Sequence, residues 1–197
     1  MIKPRIILAS SSPRRIDILK EYKINFISKE HKIINEPEYS SGTEPCEFVK
    51  NIALDKAKSI ENYYPDDFII GSDTIVMFNA LNSFLASLGK PTDARNAFNM
   101  INMLSGNIHN VYTGIALINK NRQIYESSYD KTEVKIKNLS YEEIYNYINQ
   151  CKPFDKAGAY GIQDSKGIVE SYSGSYKNVE GLCIENLIPL LKKYHLI

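Results

Sequence analysis

Apolar and polar positions along this chain change period several times, and each change marks an element. The apolar run Ile6-Ile7-Leu8 is followed by a polar turn and then by apolar residues at helical spacing. This predicts a short strand and a helix over 13–22, with Pro13 as its first residue, Ser12 as its N-cap, and Ile16, Leu19 and Tyr22 buried. Residues 25–28 read as a strand and 29–42 as a polar loop. Thr43 is placed to cap a helix over 44–60 that buries Phe48, Ile52 (or Val49) and Ala53. Phe68-Ile69-Ile70-Gly71 predicts a buried strand ending at Ser72-Asp73-Thr74, with Ile75-Val76-Met77-Phe78 carrying it on and 79–89 as loop or hairpin. Thr92 is placed to cap a helix to Leu104, stopped by Ser105-Gly106. Residues 108–118 and 123–137 read as two strands joined by a polar turn. Ser140-Tyr141-Glu142-Glu143 is a capping box for a helix to about Asn149. Gly and Ser are frequent over 157–181, which reads as short strands and loops, and 182–194 closes the chain as a helix that Pro189 kinks or breaks.

Strands and helices alternate, which predicts an α/β fold. The long hairpin over 108–137 demands antiparallel pairing, so the sheet is mixed rather than purely parallel. With 197 residues and no repeat, low-complexity tract or linker, the reading is a single domain over 1–197. A net charge of +1 argues against a chain that coats nucleic acid or a membrane surface. Cys46, Cys151 and Cys183 are widely spaced with no CxxC pair, as in a reduced, cytoplasmic protein. No apolar leader or membrane-length stretch contradicts that expectation.

Ser10-Ser11-Ser12-Pro13-Arg14-Arg15 carries the strongest chemical signal. A strand leads through hydroxyl donors into a helix N-terminus whose first-turn N–H groups have no intrahelical partner. Two arginines oppose the helix dipole there unless an anion offsets them, so the segment describes a phosphate site. A plain capped helix with solvated arginines fits the same residues. GxxxxGK[ST], GxGxxG, HExxH and GxSxG motifs are all missing, and His31, His109 and His195 are scattered without a pairing that suggests a metal or a relay. Phosphate chemistry here must rest on carboxylates, Lys and Arg, and a divalent metal. Asp73 follows an apolar strand, where a carboxylate serves as proton acceptor or metal ligand, or simply as a turn residue. Glu36 in its loop reads alone as solvated, Lys56 between Ala53 and Ala57 as a surface lysine, and Lys90-Pro91 as the exit of a loop; none is specific singly. Asp155-Lys156-Ala157-Gly158-Ala159-Tyr160-Gly161-Ile162-Gln163 permits close approach of a flat ligand, with the Gln163 amide suited to a base edge; a glycine-rich bend with Gln163 in solvent is the alternative. Residues 174–181 read as a structural loop into the last helix.

Taken in order, these segments closely resemble one family, the Maf-like (septum-formation-related) nucleoside triphosphate pyrophosphatases. The resemblance covers Ala9-Ser10-Ser11-Ser12-Pro13-Arg14-Arg15, Glu36, Lys56-Ala57, Gly71-Ser72-Asp73-Thr74, Gly89-Lys90-Pro91, Leu104-Ser105-Gly106, Thr113-Gly114, residues 155–163, Gly174-Ser175-Tyr176, Asn178-Val179 and Gly181-Leu182. It implies a twisted, partly antiparallel sheet flanked by helices, as in inosine-triphosphatase-like proteins, with a substrate cleft between two lobes. It also implies cleavage of a nucleoside triphosphate between its α and β phosphates with Mg²⁺ or Mn²⁺. By position it makes Asp73 the proton acceptor for water and a metal ligand beside Glu36. Ser10, Arg14, Arg15, Lys56 and Lys90 become holders of the triphosphate. Arg14, Thr74 and Gln163 stand as in the branch that prefers dTTP and UTP; the 7-methyl-GTP branch usually has Trp before the arginines and Gln after the aspartate. The implied partner is a nucleotide substrate alone, in nucleotide metabolism, with neither nucleic acid nor membrane, and the resemblance allows a homodimer. Two other readings are carried: a nucleotide-sensing regulator of cell division with weak hydrolysis, and a purine-directed pyrophosphatase of the inosine-triphosphate type. The chain departs from the family in a longer segment over 77–89, which is a candidate lid-like hairpin next to Lys90, and in Cys183 where proline is common.

Overall fold

In a computed structural model, residues 4–40, 42–80, 84–164 and 167–197 are described. The elements are β1 (Ile6–Ala9), α1 (Pro13–Glu21), β2 (Ile27–Lys29), α2 (Pro45–Lys58), β3 (Phe68–Ala80), β4 (Phe84–Leu88), α3 (Ala94–Leu104), β5 (Ile108–Asn119), β6 (Ile124–Ile136), α4 (Tyr141–Cys151), β7 (Val169–Ser173), α5 (Tyr176–Glu180) and α6 (Ile184–Lys193). A single 3-10 turn covers Ala157–Ala159. One sheet runs in the order β2-β1-β3-β5-β6-β7, with β4 on β3. β1 pairs in parallel with β2 and β3, whereas β3–β4 and β6–β7 are antiparallel, so the sheet is mixed as expected.

The chain divides into two compact units. The first holds residues 1–74, 113–130 and 181–197. Its strand segments from β1, β3 and β5 are apolar on both faces, and their alternation sorts them. Ile6, Leu8, Phe68, Ile70, Ile115 and Leu117 pack with Ile18 and Leu19 of α1 and with Ile184, Leu187 and Leu191 of α6. Ile7, Ala9, Ile69 and Ile118 pack with Ala57 and Ile60 on the α2 side. The second unit, residues 75–112 and 131–180, builds its core from α3, α4 and the inner residues of its strand segments. There His109 donates to or accepts from the Tyr160 hydroxyl at 2.6 Å. Burial pulls its imidazole down to about 4, so it stays neutral at physiological pH and serves the core.

α2 lies unusually close to the sheet because two glycines admit it. A Cβ on Gly71 of β3 would sit 1.9 Å from the Ala53 carbonyl oxygen, and one on Gly114 of β5 would sit 2.3 Å from that of Val49. Gly71→Ala must push the helix away. The expected loss is about 1–3 kcal/mol, as for other overpacked cores, read as a lower urea midpoint. Gly89→Ala, whose Cβ meets nothing within 4 Å, is the control.

Several local expectations shift. α1 buries Ile18 and Leu19, leaving Ile16 partly buried and Tyr22 exposed, because the helix turns a different stripe to α6. Ser12 is the N-cap residue of α1 but makes no side-chain cap bond. Glu44 rather than Thr43 precedes α2, and Phe48 is half-buried beside a buried Val49 and Ile52. Asp93, not Thr92, caps α3, accepting from the Asn96 N–H at 2.7 Å. The Ser140 capping box forms. α6 passes through Pro189 without ending; the bond it forgoes is to the Glu185 carbonyl, on an exposed side of the helix that water can serve. β3 does not end at residues 72–74 but is one strand of 13 residues, continued through Ile75–Phe78 as expected and on to Ala80, because Val76 to Ala80 pair with β4. The 77–89 segment is thus largely hairpin, with the tip at 81–83 outside the described residues, as is residue 41 of the 29–42 loop.

Candidate active site

Parallel pairing of Ile6, Ile7 and Leu8 with Phe68, Ile69 and Ile70 brings the exit of β1 alongside residues 71–74 of β3. Pairing with β1 stops at Ile70 and pairing with β4 starts at Val76, so Asp73 lies in the stretch between two partners. Strand alternation then divides Gly71-Ser72-Asp73-Thr74. Gly71 and Asp73 share the α2 face with Ile69. Ser72 and Thr74 share the α1/α6 face with Ile70.

On the α2 face, the close seat at Gly71 lets Lys56 reach the sheet. Its ammonium lies 2.7 Å from Asp73 Oδ1 and 2.9 Å from Glu36 Oε2. Lys56 is only 4% exposed and Asp73 8%, so the lysine that read alone as a surface residue is a buried cation held by two carboxylates. Such burial is tolerated only for a paired charge. Glu36 extends the chain, its Oε1 being 3.2 Å from His31 Nε2. Burial, and secondly the Lys56 charge, lower the His31 pKa from its ordinary value, partly opposed by Glu36. His31 reads in the sequence as a scattered histidine without a partner, in a loop with no periodicity; the fold of this loop against α2 brings it to Glu36.

On the α1/α6 face, Arg15 is the hub. Its Nε donates to the Gly181 carbonyl at 2.8 Å, NH1 to Ser10 Oγ at 3.4 Å and NH2 to Thr74 Oγ1 at 3.3 Å. Thr74 in turn meets the Thr113 hydroxyl at 3.0 Å, and Ser72 Oγ donates to the Gly181 carbonyl at 3.2 Å. Burial lowers the Arg15 pKa from its ordinary value, opposed chiefly by the negative charge of Asp73. A guanidinium keeps its charge through such a shift, so Arg15 holds a partly desolvated positive charge. These three bonds leave N–H groups on NH1 and NH2 for an anion. Ser10 Oγ also accepts from the Ser12 N–H at 3.2 Å, which shapes the turn into α1, and Arg14 lies half-buried in the first helical turn. Cys183 is buried and donates its thiol to the Thr113 carbonyl at 3.3 Å; burial pushes that thiol up to about 12, so it is inert.

The first unit therefore assembles Ser10, Arg14, Arg15, Glu36, Lys56, Asp73 and Thr74 as two adjoining groups on the two faces of one strand. Thr113, Ser72 and the Gly181 carbonyl are supporting members that the sequence did not single out for a role in the site. Lys90 and Gln163 belong to the second unit. Lys90 is exposed and follows Gly89, whose carbonyl accepts from the Gly158 N–H at 3.0 Å. Gly158 has φ of 69° and takes the left-handed conformation that turn requires. Gln163 is exposed in a turn spanning Gly161 and Asp164.

The fold is that of the Staphylococcus aureus Ham1 protein, with a TM-score of 0.54 over 96% of this chain and 99% of that one at 16% identity. The sequence is more specific. It matches the family described as Maf-like protein over residues 5–194, and the chain belongs to that family. It is 40% identical over 191 residues to the dTTP/UTP pyrophosphatase of Thermoanaerobacter sp. (strain X514), covering 96% of each chain. It is 38% identical over 195 residues to the dTTP/UTP pyrophosphatase of Bacillus cereus (strain AH187), covering 98% of this chain and 96% of that one.

Proposed function

We infer that this protein is a nucleoside triphosphate pyrophosphatase that converts dTTP and UTP to the monophosphate and pyrophosphate. The observation that carries the reading is the buried Lys56 ammonium between Asp73 and Glu36 at the strand exit that also presents Arg15 and Ser10. Cleaving a phosphoanhydride needs little covalent help from protein; it needs an aligned water, a proton acceptor and neutralised phosphate charge. Arg15, pinned at three points, is a pre-set anion receptor. Arg14, Ser10 and the first-turn N–H groups of α1 add donors around it. Lys56 orients the Asp73 carboxylate through Oδ1, leaving Oδ2 to take the proton of an attacking water. Lys90 serves as a further phosphate contact by its place in the family's pattern.

The donor set fits a hard divalent cation, since Glu36 and Asp73 offer carboxylate oxygens only. Among the described residues no group of three or more His, Cys, Asp or Glu gathers for a metal. Two carboxylates with the rest of the shell left to phosphate and water is the usual arrangement for Mg²⁺. Glu36 and Asp73 would hold Mg²⁺ or Mn²⁺, which when bound supplies neutralisation of the triphosphate.

Gln163 offers an amide whose oxygen and NH₂ complement the N3–H and O4 that uracil and thymine share, and that cytosine lacks. Thr74, buttressing Arg15, and Arg14 complete the selection. No helix among the described residues is long and apolar enough to cross a membrane. The test is a panel of dTTP, UTP, CTP, ATP, GTP, ITP and 7-methyl-GTP with Mg²⁺ or Mn²⁺, scored for pyrophosphate against orthophosphate. The expected result is pyrophosphate from dTTP and UTP well above CTP and the purines. Pyrophosphate from purines only would transfer the chain to the purine-directed reading. Saturable binding with no release would make it a nucleotide sensor.

A further inference from the structure

Gln163 stands exposed on a turn, and an exposed glutamine side chain on a loose turn would discriminate poorly. This turn is not loose. The Asp164 N–H donates to the Gly161 carbonyl at 3.2 Å, closing residues 161–164. The Gly161 N–H donates to Asp164 Oδ2 at 3.0 Å and to the Tyr147 hydroxyl at 3.0 Å, and that hydroxyl donates to Asp164 Oδ2. Tyr147 comes from α4 and is only 2% exposed, so the anchor is part of the core of its unit. Lys156 approaches Asp164 Oδ1 from the other side at 3.8 Å. The seat is full: a Cβ on Gly161 would lie 2.8 Å from Asp164 Oδ1 and 2.9 Å from Lys156 Cε. Only Ile162 and Gln163 lie between the two clamped residues. Burial, then the bond to Asp164, raise the Tyr147 pKa, so the phenol remains a donor.

We propose that Tyr147 and Asp164 are positioning residues that lock the 161–164 turn and thereby set how sharply Gln163 separates uracil from cytosine. The proposal rests on the reading of Gln163 as the group that meets the base. Neither residue touches the nucleotide; both act through the backbone that carries Gln163. A clamp of this kind holds a side chain to the narrow tolerance that a binding site needs, and its loss is felt in selection before it is felt in turnover.

The test is a cycle of Tyr147→Phe, Gln163→Ala and the double variant, with kcat and KM measured for UTP and CTP. Tyr147→Phe is expected to lower the UTP-over-CTP ratio of kcat/KM about tenfold, mostly through a raised KM for UTP, with kcat changed less than about threefold. In the Gln163→Ala background the same substitution is expected to leave the ratio where it stands, because residues that act as a unit are not additive. Asp164→Asn, which keeps an oxygen for the Gly161 N–H but loses the charge, is the second variant should Tyr147→Phe fold poorly, and it is expected to lower the ratio less. If Gln163→Ala loses discrimination while Tyr147→Phe and Asp164→Asn keep it, the clamp is overturned and the Gln163 reading stands. If Tyr147→Phe lowers kcat equally for both nucleotides with the ratio unchanged, its role is structural only and the proposal also falls. If Gln163→Ala itself keeps the ratio, the Gln163 reading fails, and the clamp with it.

Discussion

Replacing Asp73 by Asn is expected to slow pyrophosphate release from UTP by about 10²–10⁴-fold, the range a positioned proton acceptor contributes. The amide keeps the shape and an oxygen for the Lys56 ammonium, now 2.7 Å from Asp73 Oδ1, but cannot take a proton from water. Binding should therefore outlast turnover. Single-turnover assays will read the chemical step, and calorimetry with a non-hydrolysable UTP analogue will read affinity. A drop in kcat with affinity changed only a few-fold is the expected split. Activity near that of the parent would remove Asp73 from the reaction. Loss of binding and turnover together would make Asp73 a holder of the triphosphate rather than the acceptor of the proton.

Lys56→Met is expected to damage both stability and activity. The methionine fills the space of the aliphatic stem but leaves the Asp73 carboxylate, 8% exposed, without its ion partner. Removing one partner of a buried pair typically destabilises by about 3–5 kcal/mol. The lower end applies here, because Glu36 is half-exposed and water can take over its share. The urea midpoint measures this directly, at unchanged m-value. Combining Lys56→Met with Asp73→Asn removes the stranded charge, so the double variant is expected to regain much of the lost stability while remaining inactive. If Lys56→Met instead melts like the parent, the ion pair is not a structural element and Lys56 is held in place for the substrate alone. The contrast separates the two duties of one lysine.

The motifs were legible because their residue types and order are specific. The strand, the serine turn and the helix start at Pro13 follow from residues 6–15 alone, whereas the bonds of Arg15 to Ser10, Thr74 and the Gly181 carbonyl do not. The capping box at Ser140 formed because both of its bonds are local, three residues apart. Edges were less legible. Thr43 and Thr92 had the chemistry of caps, yet the neighbours Glu44 and Asp93 took those positions, since the exact start of a helix depends on how the preceding loop arrives. Lys56 reads alone as a surface lysine because its immediate neighbours, Asp55 and Ala57, say nothing of the strand that lies against the helix.

What the sequence by itself determined is the mixed α/β arrangement, the strand–serine turn–helix start that opens the chain and, through the ordered motifs, membership of the Maf-like family. These rest on short-range propensities and on residue identities that survive any change of context. What only the tertiary structure decided is which face each residue serves. Phe68-Ile69-Ile70 is apolar without alternation, so no pattern in the chain says which way Ser72, Asp73 and Thr74 point. Helices packed on both faces of the strand settle it. Gly71 admits α2 and gives Asp73 to Lys56, while Leu182 to Leu191 cover the opposite face and give Thr74 to Arg15. Likewise β3 passes through Asp73 instead of ending there because β5 is its neighbour in the sheet and β4, distant in sequence, pairs with it from Val76 on. Long-range packing and pairing decide such questions, and neither is written in the local sequence.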